Sequence, residues 1–190
     1  TITNHGSFNM NSGSASSEDP KLTIINTGKI TVNKNGNLIL DNFNNSGTIQ
    51  WSSTNDSLEI NDKSTNDVNG VINAASILIT GNGKMTNDGT INVSGKMENN
   101  GTITNTKKIT NNGTITNNNT ITNSGKITNK NTITNNNTIT NTNNGIIINN
   151  GTIKNYGTIK NYGYIQCEDD SHTIIGTGTI ITKGDGTDTC

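Results

Sequence analysis

Apolar side chains are scarce in this sequence: 27% of its 190 residues are hydrophobic and 3% aromatic, with one proline, one tryptophan and two cysteines. Globular domains use roughly 45–50% apolar residues, so an ordinary packed core is excluded for a chain of this length. No apolar run approaches the roughly 18 residues of a membrane-spanning helix, and no membrane span is expected. Net charge is missing too. A formal value of -1 excludes general electrostatic steering toward nucleic acid or an anionic membrane. A chain this poor in apolar groups would stay disordered if high net charge kept it expanded. Here the charge is balanced and the apolar residues fall at regular intervals, so order is expected. The chain starts at Thr1, consistent with a processed chain or an excerpt.

What is present in quantity is Asn, 39 residues, and Thr, 33. From Gly83 the chain reads in hexads such as GTITNT, GTITNN, NTITNS and GKITNK, up to residue 168. The third position is apolar throughout: Met85, Ile91, Met97, Ile103, Ile109, Ile115, Ile121, Ile127, Ile133 and Ile139. After two inserted residues, Asn143 and Asn144, the series resumes at Ile147, Ile153, Ile159 and Ile165. A period of six fits no amphipathic helix. It fits a short strand followed by a corner. Thr and Ile are β-branched and favour strands, and alternation turns Ile inward and the Thr pair outward. Asn and Gly accept unusual backbone angles and turn the corner.

The number of hexads per coil follows from self-similarity. Residues 101–118 and 119–136 agree at 13 of 18 positions, whereas a 12-residue shift of 101–112 onto 113–124 matches 8 of 12. The fold expected is therefore all-β, a single-stranded β-solenoid (β-helix) with three short strands per coil of about 18 residues, each coil rising about 4.8 Å. Asn105, Asn111, Asn117, Asn123, Asn129, Asn135, Asn141, Asn149, Asn155 and Asn161 recur at one hexad position, so amide ladders like those of cross-β stacks are expected. Residues 21–82 use the same vocabulary with looser spacing, as in Gly28-Lys-Ile30-Thr-Val32 and Gly47-Thr-Ile49-Gln-Trp51. The organisation expected is an N-terminal loop or cap over 1–20, a solenoid over 21–183 and a tail over 184–190.

Asn99-Asn-Gly101-Thr-Ile103, Asn111-Asn-Gly113-Thr-Ile115 and Asn149-Asn-Gly151-Thr-Ile153 resemble the Asn-x-Gly-x-Ile repeats of filamentous-haemagglutinin-like adhesin shafts. The hexads also resemble hexapeptide β-helices, in which a small residue stands four positions after the inward aliphatic. Ile109 with Gly113 and Ile121 with Gly125 keep that rule, and Ile103 with Lys107 breaks it. These resemblances cover about residues 21–183 and imply a β-solenoid, specific for the fold and weak for any one family.

Residues suited to catalysis are few. Hexapeptide acyltransferases use a coil histidine, but His5 and His172 both lie outside the hexads. The acidic run Glu168-Asp169-Asp170 and the pair Asp185 and Asp188 suit hard cations only in principle, because their spacing matches no known loop. No catalytic residue, cofactor or metal is called for, and an enzyme is not expected. Tyr156, Tyr162 and Tyr164 read as cover for terminal coils. A disulfide between Cys167 and Cys190 would fit an oxidising, extracellular setting; two free thiols are the other reading.

Thr102/Thr104, Thr120/Thr122 and Thr138/Thr140 fall on one face as stacked Thr-x-Thr rows, similar to the flat arrays of β-solenoid ice-binding proteins. Thr114/Thr116 and Thr132/Thr134 repeat the motif on another face, which argues for strand propensity and solubility. Asn-x-Ser/Thr sequons occur at Asn44, Asn55, Asn92, Asn100, Asn112, Asn118, Asn136 and Asn150, candidates for glycosylation in a secreted chain. The function expected is structural: a self-assembling extracellular or virion fibre subunit, or an adhesin shaft, at a cell or virion surface. Its partners would be copies of itself, and glycans or a host surface. Ice binding through the Thr rows is the alternative.

Overall fold

The computed structural model describes residues 2–10, 23–33, 37–40, 42–51, 57–168, 173–182, 187–188 and 190. They form an all-β, single β-solenoid of about eight turns with a repeat of about 19 residues. All strand pairing is parallel, between residues one coil apart, as in Thr102–Asn105 on Thr120–Asn123 on Thr138–Asn141. Three faces result. The first runs from Ile2–Asn4 to Thr179–Thr182 and the second from Ser7–Met10 to Thr187–Asp188. The third runs from Asn37–Leu40 to Ile174–Ile175. Two long strands, Val71–Ile79 and Thr90–Asn99, pass from the second face to the third without a break, and their register shifts between Ala74 and Ser76.

The coil follows the predicted 18 residues between Asn87 and Asn141. Before that it takes 19 to 22 residues, and after it 20. The extra residues go into corners. Asp67 to Gly70, Thr80 to Gly83 and Thr142 to Gly145 each close a turn in which the Gly N–H donates to the first residue's carbonyl, at 2.7, 2.9 and 2.7 Å. The insertion of Asn143 and Asn144 is thereby absorbed without disturbing the strands on either side.

The strands of the Thr-Ile-Thr-Asn hexads have four residues rather than the expected three, because the Asn after Thr-Ile-Thr belongs to the strand and points inward beside Ile. Ile and Asn alternate with two outward residues, the period-two pattern of a strand. The inward Ile residues stack in columns, Ile103 on Ile121 on Ile139 among them, and all three are at most 3% exposed. Burying one such side chain contributes about 1.5–3 kcal/mol. Closeness of backbone, more than unusual torsion, selects glycine at the corners: a Cβ on Gly113 would lie 1.8 Å from the Gly95 carbonyl oxygen. Among the described glycines only Gly176 has a positive φ, 122°.

The solenoid begins earlier than the sequence implied. Ile2–Asn4 pairs with Ile24–Asn26, and Ser7–Met10 pairs with Lys29–Val32, although both segments lie in the stretch expected to be a loop or cap. The chemistry is visible afterwards: Ile2 and Phe8 are the inward residues, aligned with Ile24 and Ile30. Residues 11–22 lie outside the described residues. In the expected tail, Thr187 and Asp188 align with Tyr164 and Ile165.

Candidate surface-binding faces

The inward Asn residues form the ladders that make the faces rigid. At the corner between the first and second faces, Asn4, Asn26, Asn45, Asn66, Asn87, Asn105, Asn123, Asn141 and Asn161 are joined in series. Each Nδ2 donates to the next Oδ1 at 2.7–2.9 Å. Two shorter ladders occupy the other corners, Asn99-Asn117-Asn135-Asn155 and Asn111-Asn129-Asn149, the latter ending on the Cys167 sulfur at 3.4 Å. A buried amide is costly unless bonded, and here the second Nδ2 hydrogen reaches a backbone carbonyl, as in Asn117 to Thr138 at 2.9 Å. Side-chain donors point toward the C-terminal coils. Backbone N–H groups at the same corner point the other way, Ser124 to the Asn105 carbonyl at 2.8 Å for example. The two sets of dipoles oppose each other at this corner.

Thr102, Thr104, Thr120, Thr122, Thr138 and Thr140 stand together on the first face, in register from coil to coil. Register extends them further than sequence spacing revealed. One column is Thr65, Thr86, Thr104, Thr122 and Thr140, and the other is Thr102, Thr120, Thr138, Thr158 and Thr179. Thr120 and Thr138 hydroxyls donate to the corner residues Asn119 and Asn137 at 3.2 and 3.0 Å. Lys63 and Lys84 precede the second column, and Lys160 follows the first. The third face carries Thr114/Thr116 and Thr132/Thr134 in register. The second face differs: its outward pairs are Lys108/Thr110, Lys126/Thr128 and then Ile146/Ile148.

The other predicted residues are scattered. Of the sequon asparagines, Asn44, Asn112, Asn118 and Asn136 are exposed and Asn92, Asn100 and Asn150 half-buried; Asn55 lies outside the described residues. Asn136 donates to Asn118, and Asn118 to Asn100, at 2.8 Å each, forming an outer ladder. Cys167 and Cys190 are joined as a disulfide that closes 23 residues of chain. His5 Nδ1 lies 2.8 Å from the Thr27 hydroxyl, while His172, Asp169, Asp170 and Asp185 are outside the described residues. Among the described residues no group of three or more His, Cys, Asp or Glu could hold a metal ion, and no helix is long and apolar enough to cross a membrane. Tyr156 is exposed, and Tyr162 and Tyr164 are half-buried. On the third face Lys96 and Glu98 form an ion pair of 2.7 Å, and the hydrogen bonds from Lys96 and Asn100 hold the Glu98 carboxyl below its ordinary range.

Comparison with protein-family models, with curated proteins and with solved structures gives no match to this chain.

Proposed function

We propose that this chain is a structural rod, the shaft segment of an extracellular or virion surface fibre or of an adhesin, and that it assembles with copies of itself. The observation that carries the reading is the continuity of bonding along one axis: three faces of parallel strands and three amide ladders run in the same direction. That arrangement resists bending and extension, and it gives the regular coils faces of short polar side chains. The resemblance of its hexads to adhesin shafts supports a place at a cell or virion surface. The inward columns also stay open at both ends of the described coils. Ile2, Phe8 and Ile180 continue buried columns yet are 37%, 38% and 40% exposed. A further coil, from the same chain or a second copy, would cover them and pair the open strand edges.

Electron microscopy and sedimentation velocity of the 190-residue chain test this. Ten strands at about 4.8 Å spacing make a rod of roughly 45 Å. Filaments, or rods in multiples of that length, are expected as concentration rises; single-length rods at every concentration would overturn self-assembly.

A second reading, ice binding by the first face, is favoured by its two five-membered Thr columns. Their hydroxyls and methyls repeat at the coil spacing over a flat surface. The expected result is thermal hysteresis that falls in Thr104→Tyr and Thr122→Tyr. Unshaped ice at high protein concentration would eliminate it.

A further inference from the structure

The net charge of -1 conceals a segregated distribution. Between Glu98 and Glu168 the chain has six lysines and no acidic residue. Three of them collect on the second face and its edge. Lys108 and Lys126 are stacked in register one coil apart, and Lys130 stands just past Asn129 at the corner leaving the same strand. Lys107 lies at the opposite corner, where its ammonium donates to the Val68 carbonyl at 2.9 Å.

Like charges placed directly opposite each other across a sheet are destabilising. Nothing nearby relieves this pair: among the described residues the one ion pair is Lys96–Glu98, on the third face. The nearest carboxylate along the Lys107 corner is Asp88, which accepts from the Thr106 hydroxyl. Stacked cations with no carboxylate paired to them describe a surface that lacks its anion.

We propose that the second face binds a linear anionic polysaccharide, its carboxylate or sulfate groups held by Lys108, Lys126 and Lys130. The glycan is favoured over other polyanions by the next positions in the same column. Above Lys126 come Ile146, 39% exposed, and Tyr164, an apolar and aromatic continuation suited to the face of a sugar ring. Coils rise by about 4.8 Å, a step comparable to one pyranose residue of an extended chain, so successive sugars meet successive coils. An anionic bilayer would be met by a broader cluster of lysines or arginines than these three. Duplex DNA would offer phosphates but no apolar ring face to Tyr164. The inference deepens the proposed surface rod by naming what one of its faces holds.

The test is affinity measurement of the 190-residue chain for polygalacturonate and for dextran sulfate, with a short DNA duplex and phosphatidylserine vesicles as competing surfaces. Binding to at least one glycan in low salt, weakening as salt rises, is expected. The outward double variant Lys108→Gln/Lys126→Gln lowers that affinity about tenfold or more, while Lys154→Gln/Lys160→Gln, on the other two faces and with no lysine stacked on them, stays within about twofold. Tyr164→Ala weakens glycan binding and leaves any DNA binding unchanged. Equal losses in both double variants, DNA or vesicles bound as tightly as either glycan, or no binding to any probe would overturn the proposal. Sedimentation of the same samples reads assembly separately, so a rod that assembles without binding glycan is told apart from one that fails to assemble.

Discussion

The two halves of the solenoid solve the same corner differently. In the N-terminal half only the corner between the first and second faces carries an inward Asn. At the other two corners the equivalent residues are apolar: Val32, Ala74 and Val93 at one, with the half-buried Trp51 in the same column, and Leu40, Ile60 and Ile79 at the other; all but Trp51 are at most 2% exposed. In the C-terminal half all three corners carry Asn, so a coil such as 103–117 buries three Ile and three Asn. The exchange happens in register, Val93 aligning with Asn111 and Ile79 with Asn99. An aliphatic corner is stabilised by removal from water, needs no particular neighbour, and tolerates coils of uneven length. An Asn corner is bonded on both sides when the coil above and the coil below present Asn at the same height. It therefore specifies register, while coil length stays free to vary: the first ladder runs unbroken through coils of 18 to 22 residues.

The junction exposes the cost of changing from one solution to the other. Asn99 opens its ladder above Ile79, and its Oδ1 is buried without a partner. Asn111 opens the third ladder above Val93 but escapes this, because its Oδ1 accepts from the Gly113 N–H at 3.2 Å.

The comparison breaks most sharply inside a ladder. Asn123→Leu keeps the branching at Cγ but removes the acceptor of Asn105 and the donor to Asn141. A loss of about 3 kcal/mol is expected from two orphaned buried groups, read as a shift of the urea unfolding midpoint. The same change at the ladder's opening, Asn99→Leu, extends the aliphatic corner by one coil and moves the orphaned oxygen to Asn117. It is expected to cost no more than about 1 kcal/mol; a cost equal to that of Asn123→Leu would show that the two corner types are not interchangeable at the junction. In the N-terminal half, Ser64 interrupts the inward column between Phe43 and Met85, fully buried and with its hydroxyl unpartnered. Ser64→Ala should stabilise by up to about 1 kcal/mol, measured by thermal unfolding. The smallest effect is electrostatic. Because the Glu98 carboxyl is held below its ordinary range by Lys96 and Asn100, its contribution is present above the unfolded-state value and is lost as pH falls through the folded one. For so exposed a pair this amounts to a few tenths of a kcal/mol, absent in Glu98→Gln across the same acid titration.

Much of the fold was legible because the repeat is short and uniform. The columns of Ile103, Ile121 and Ile139 and the three-strand coil follow from hexad spacing and an 18-residue register. The N-terminal strands were harder to find. Ser7–Met10 carries Phe8 at the inward position after Gly6, the place Gly28 takes one coil on, but no Thr-Ile pair marks it, and coil lengths of 19 to 22 hide the register. On the candidate faces, the Thr-x-Thr rows were visible as spacing. Their extension to Thr65, Thr86, Thr158 and Thr179 was not, since those residues are aligned by coils of unequal length.

By itself the sequence determined the solenoid, because a six-residue alternation of β-branched and corner residues has no other way to bury its single apolar position. Only the tertiary structure decided which way Asn faces. Coil closure makes each four-residue strand continue inward at its last residue, and that turns a favourable corner residue into a buried, bonded ladder. It also decided where charge collects. Lys108 and Lys126 are 18 residues apart along the chain and adjacent across the sheet, so a chain balanced in total brings like charges together.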